Sequence, residues 1–120
     1  VLVDTSVWVD HFRRGNRLLE ERLHDEDVWT HLFVIGELAG GNLRRRSEVL
    51  ALMAALPSAP LVDHQAAMSF IDSRHLAGQG IGWIDVHLLA SATLAHLPLW
   101  TLDRRLEAVA RRLRLLPEFV

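Results

Sequence analysis

VLVDTSVWVDH, residues 1–11, decides how the chain is read. Val1 to Val3 is a short β-branched run that stops abruptly at Asp4, as a buried parallel strand does at its carboxyl end. Thr5 and Ser6 are good helix-capping residues, and Val7 to Arg13 can follow as a helix. A strand passing at once into a helix is the opening of a β-α unit, and the rest of the chain repeats the alternation. Gly15-Asn16 breaks the first helix, and Leu18 to Leu23 fits a second, amphipathic one. Val28 to Thr30 reads as a strand and His31 to Ala39 as a helix closed by Gly40-Gly41. Leu43 to Leu56 is a helix stopped by Pro57. Pro60 to Val62 is a strand candidate, and Asp63 caps a helix from His64 to Leu76. After the glycines at 78, 80 and 82, Ile84 to His96 is an apolar helix. Leu99 to Leu102 is a strand ending near Asp103, Arg104 to Leu113 a basic amphipathic helix, and Leu115-Leu116 a final edge strand. Such alternation predicts an α/β domain with a short, mostly parallel sheet. Ligands then bind at the carboxyl ends of the strands, where Asp4 and Asp103 fall.

The 120 residues suffice for one domain, and half of them are apolar, so a core can form. The net charge of -2 provides no general basic field for nucleic acid, which leaves only a local patch. Without cysteine there is no disulfide, thiolate metal site or cysteine nucleophile. No apolar run approaches a membrane span, and no basic-then-apolar leader opens the sequence. The expectation is a cytoplasmic protein. All 13 basic residues are arginine. A receiver or phosphatase domain, which also gathers aspartates at strand ends, relies on a lysine to hold its phosphoryl group. The P-loop motif needs one as well. Both classes are therefore disfavoured.

Four carboxylates stand in apolar surroundings: Asp4 after VLV, Glu37 within LFVIGELAGG, Asp85 within GIGWIDVHLLASA, and Asp103 after LPLWTL. A buried ionised carboxylate needs a cation, hydrogen bonds or a proton. Taken singly, each can be a helix cap or an ion-pair partner; Asp85 would suit the first turn of its helix. If the four converge, their mutual repulsion calls for a divalent cation, and hard oxygen ligands without thiolates suit Mg²⁺ or Mn²⁺. Such a centre activates water against a phosphodiester. A binding module whose acids only form salt bridges remains the alternative.

DTSVWVDH, IGEL, GIGWIDVHLLASA and LWTLD, in this order and spacing, resemble the PIN-domain family, in particular the VapC toxins of type II toxin–antitoxin systems. The resemblance covers nearly the whole chain and implies one PIN domain over residues 1–120, a Rossmann-like α/β/α sandwich. It implies an endoribonuclease dependent on Mg²⁺ or Mn²⁺, with Asp4, Glu37, Asp85 and Asp103 as catalytic and metal-holding acids and Ser6 as an auxiliary hydroxyl. It also implies an RNA substrate, a VapB-like antitoxin bound in a hetero-oligomer, and a homodimer. The apolar stretches 43–56 and 64–76 offer surface for that dimer. A housekeeping PIN nuclease in RNA processing is the alternative within the family. Many relatives carry a further acid or amide just after the last aspartate. Here Arg104, Arg105 and Leu106 follow Asp103, which leaves it alone on that side.

Of the remaining residues, the seven histidines form no metal-binding pair and are expected to be surface or packing residues. The clusters Arg13-Arg14-Arg17, Arg44-Arg45-Arg46 and Arg104-Arg105-Arg111-Arg112-Arg114 either contact RNA phosphates or form solvated faces. Trp83 and Trp100 are expected in the core. Trp8, one turn beyond Asp4, is a candidate for lining a substrate or partner groove, with Val7 and Phe12 beside it.

Overall fold

The computed structural model describes residues 1–120 as β1 (Leu2–Val3), α1 (Thr5–Arg14), α2 (Arg17–His24), α3 (Leu32–Ala39), α4 (Arg46–Ala55), α5 (His64–Ser73), α6 (Trp83–Ala95), β2 (Leu99–Trp100) and α7 (Arg104–Arg112). β1 and β2 pair in parallel, Leu2 with Leu99 and Val3 with Trp100. Parallel bridges join Leu2 to Trp29 and Thr30 to Ser58, and the Leu99 N–H reaches the Leu115 carbonyl at 2.7 Å. The strand segments therefore lie in the spatial order Ser58, Trp29–Thr30, β1, β2, Leu115. The chain builds outward from β1 on one side, then crosses back to place β2 on the other. In an open α/β sheet the crevice where the order reverses is the ligand-binding position. Here it lies between the ends of β1 and β2.

Leu2 and Val3 point to opposite faces of the sheet, and both are fully buried, as is Leu99. Layers on both faces must cover them, which is the α/β/α arrangement. The third strand segment is found at Ser58 rather than at Pro60 to Val62. Thr30 donates to Pro57, and Ala59 donates to Thr30. Pro60 has no N–H with which to extend that ladder.

Helix starts differ from expectation in an informative way. The cap of α1 is Asp4, not Thr5 or Ser6; its carboxylate accepts from the Ser6 N–H at 3.4 Å. His31 caps α3 through Nδ1, which accepts from the Phe33 N–H at 3.0 Å. α4 begins three residues later than expected, after Arg45 adopts a left-handed φ of 53° and Arg46 donates to the Ala39 carbonyl. α6 begins at Trp83, where Gly82 donates its N–H to Asp85 at 3.1 Å. The core runs through β1, β2, Trp8, Leu88, Leu89 and Leu106, all buried. No helix is long and apolar enough to cross a membrane.

Candidate active site

Asp4 leaves β1 at the crevice and is the only buried one of the four acids. Its Oδ2 accepts from the hydroxyls of Ser6 and Thr101, both at 2.7 Å. With their protons spent on Asp4, the two hydroxyl oxygens become acceptors. Ser6 Oγ takes the Leu102 N–H at 2.9 Å and Thr101 Oγ1 takes the Asp103 N–H at 3.0 Å. Their own 3.2 Å separation is then a close approach between two oxygens with no proton to share. This lattice ties the end of β1 to the end of β2. It leaves Asp4 Oδ1 without a partner in the chain, yet not sealed away.

Asp103 caps α7 through the Leu106 N–H at 3.0 Å. Asp85 occupies the third position of α6 and is half-buried. Glu37 lies on α3 and accepts from the Thr5 hydroxyl at 2.7 Å. Contrary to the burial inferred from their apolar neighbours, Glu37 and Asp103 are exposed. Glu37 lies on the outer face of a helix whose inward residues are Val34 and Leu38.

Burial pushes the Asp85 carboxyl above its ordinary range. The Gly82 N–H opposes this, and the charges of Asp4, Asp103 and Glu37 add to it. Asp85 thus feels all three other acids. No arginine or histidine forms an ion pair with any of the four. As they stand, no three acidic or histidine side chains anywhere approach closely enough to hold one ion among themselves. The donor set still fits a small hard cation. Mg²⁺ commonly binds through one or two carboxylates and keeps several waters, through which more distant acids act.

Thr101 is the residue that sequence reading missed. The signal was present: TLD at the end of β2 places a hydroxyl and an acid two apart, as DTS does at the end of β1.

Beside the acids, a groove of about 1200 Å³ opens between α1 and the α3–α4 segment. Thr5 and Glu37 stand in its wall with Val9, Phe12, Val49 and Leu52, and with Arg13, Arg44 and Arg45. Trp8 and Val7 do not line it, because both are fully buried. Trp83, expected in the core, is 41% exposed, whereas Trp100 is buried as expected. The arginine clusters divide. Arg14, Arg17 and Arg111 pair with acids on their own helices, and Arg112 donates to the carbonyls of Arg74 and His75. Arg104, Arg105 and Arg44 have no carboxylate partner.

The PIN domain family matches residues 1–112. The chain belongs to the PIN-domain family. Over 109 residues this PIN domain is 42% identical to Ribonuclease VapC32 of Mycobacterium tuberculosis strain CDC 1551 / Oshkosh, covering 90% of this chain and 88% of that protein. The protein of the same name from the H37Rv strain matches to the same extent.

One buried pair registers two of the acid-bearing helices. His31, at the start of α3, meets Ser91 of α6 at 3.1 Å through Nε2. Because Nδ1 accepts from Phe33, Nε2 carries the proton and donates to Ser91. A second proton would set an N–H against an N–H. Burial, and then the charge of His87, lowers the His31 pKa from 6.5 to about 4. Between those values the unfolded chain binds a proton that the folded one refuses. The His31 contribution to stability is therefore complete above pH 6.5, declines as pH falls towards about 4, and is flat below. Urea unfolding across this window should show the decline. His31→Asn, which keeps a capping oxygen but cannot titrate, should flatten it. An equal slope in both proteins would remove His31 as the cause.

Proposed function

We propose that this PIN domain is a metal-dependent endoribonuclease of the VapC kind, the toxin of a toxin–antitoxin pair acting in the cytoplasm. What supports the reading is that Asp85 feels the charges of Asp4, Asp103 and Glu37, that none of the four has an ion-pair partner in the chain, and that the chain is 42% identical to a ribonuclease. PIN nucleases are generally metal-dependent.

Asp4, Glu37, Asp85 and Asp103 would hold Mg²⁺ or Mn²⁺. When bound, the ion polarises a phosphoryl oxygen and makes its water a nucleophile near neutral pH. The chain's own part is placement. Ser6 and Thr101 fix one oxygen of Asp4 and leave the other turned to the site. The N-termini of α1, α6 and α7 carry Asp4, Asp85 and Asp103, and their partial positive charge favours an anionic phosphate there. No side chain is needed as a nucleophile. Purified protein should cleave single-stranded RNA with Mg²⁺ or Mn²⁺, stop in excess EDTA, and resume when the ion is restored. Undiminished cleavage in EDTA, or none with either ion, would refute the mechanism.

The groove is the place for the antitoxin. Its apolar floor of Val9, Phe12, Val49 and Leu52 suits one face of an amphipathic helix, and Arg13, Arg44 and Arg45 suit acids on that helix's flanks. At the Glu37 end, a partner arginine could pair with the site's carboxylates. Leu61 and Met68, exposed on and before α5, support a homodimer. Co-expression with the product of the neighbouring gene should give a stable complex containing two copies of this chain by light scattering. It should also relieve growth inhibition, and Leu52→Glu should weaken capture. A chain that is harmless when overproduced and binds no neighbour would overturn the toxin reading.

A further inference from the structure

Trp83 is the only tryptophan with a large exposed surface, and it opens α6 two residues before Asp85. Its ring is held firmly. It meets His87 edge-on, with centroids 4.7 Å apart and planes at 83°, and His64 of α5 lies tilted against it at 5.3 Å. His87 meets Phe33 at 4.8 Å, and Phe33 meets the fully buried His31 at 5.1 Å. An aromatic column thus rises from the core and ends in an indole open to solvent at the acidic edge.

The loop that leads into Trp83 also packs against a cation from α7. Arg105, two residues beyond Asp103, lays its stem against Gly80; a Cβ at Gly80 would stand 2.9 Å from Arg105 Cδ. Gly80 has a φ of 78°, so the loop is shaped for a residue without a side chain. Only Ile81 and Gly82 separate Gly80 from Trp83, a span of at most about 11 Å. A rigid aromatic face and an unpaired guanidinium therefore flank one short loop beside Asp85 and Asp103. Single-stranded RNA is recognised by this combination, with the ring taking a base and the arginine a phosphate.

We propose that Trp83 is a base-stacking platform for a nucleotide next to the scissile phosphate of single-stranded RNA, with Arg105 on a neighbouring phosphate. This rests on the RNA-cleavage reading and adds a specificity-determining residue to it. Stacking accepts any base but requires that base to be unpaired.

The test uses the full chain with Mg²⁺ or Mn²⁺ and an RNA oligonucleotide containing the wild-type cleavage site. Trp83→Leu keeps apolar bulk and loses the π face. It should raise KM by roughly tenfold or more, with kcat changed less than about threefold, and Trp83→Phe should restore most of the loss. Abasic substitution at the stacked position should raise the wild-type KM to a similar degree and add nothing to Trp83→Leu. Thermal unfolding of the variants checks that they are folded. A folded Trp83→Leu protein with wild-type KM, or variant and abasic effects that multiply at every position, overturns the proposal. If the wild-type chain cleaves no RNA, the parent reading has failed and this one falls with it.

Discussion

Replacing Asp4 by Asn is expected to slow RNA cleavage by about a thousandfold or more, with little loss of stability. The two effects separate because Asp4 has two duties. As the cap of α1 it offers an oxygen to the Ser6 N–H and to two hydroxyls, and Asn caps helices about as well as Asp. An amide oxygen can accept the same bonds. The negative charge cannot be kept, and with it would go a ligand to the proposed cation, whose stabilisation of the transition state is worth several kcal/mol. At about 1.4 kcal/mol per decade, that is a loss of several orders of magnitude. Single-turnover cleavage at saturating metal measures the first effect and thermal unfolding the second. A variant within tenfold of wild type would leave Asp4 a helix cap and nothing more.

Trp8→Ala should produce the largest loss of stability of any single truncation. The side chain is fully buried, stacked near Phe12 with centroids 6.0 Å apart, and carried by the helix that Asp4 caps. Removing it leaves a cavity and costs about 3–5 kcal/mol. A domain of this size holds roughly 5–15 kcal/mol in total. Trp8 Nε1 is itself buried without a hydrogen-bond partner. Trp8→Phe removes that orphaned donor along with some volume, so the two changes offset and its destabilisation should be much smaller. Denaturant midpoints of the two variants test this. Equal losses would mean that Nε1 is satisfied in solution and that its hydrogen bond, not the volume of the ring, carries the stability.

Trp8 and Trp83 also show where the sequence is legible and where it is not. The alternation of strand and helix was readable because VLV, LW and the amphipathic phase of α7 are strong local signals. The acids at strand ends were readable because a charge that stops an apolar run is conspicuous. Exposure was not readable in the same way. α6 is buried almost all round from Val86 to Ala92, so it has no amphipathic phase that would tell which end emerges. Trp83, at its first position, looks like core and is surface. α1 carries Trp8 between Val7 and Val9, yet of the three only Val7 and Trp8 are buried. The boundary of α4 depended on Arg45 adopting a left-handed backbone, which no propensity of arginine announces. Capping was misassigned by one residue for a related reason. Asp4, Thr5 and Ser6 are all competent caps, and the bond from the Asp4 N–H to the Trp100 carbonyl fixes which of them sits at the turn.

Glu37 is attached differently from the other three acids. Asp4, Asp85 and Asp103 are each bonded to backbone N–H groups at a helix start, so none can shift without disturbing a turn. Glu37 stands on the exposed side of α3 with a longer side chain and one tether, the Thr5 hydroxyl. It is the compliant member of an otherwise stiff set. If the four acids hold an ion as proposed, a mismatch of radius would be absorbed there by rotation about side-chain bonds, while the sheet edge stays in place. Exchanging Mg²⁺ for the slightly larger Mn²⁺ would then call for no backbone adjustment.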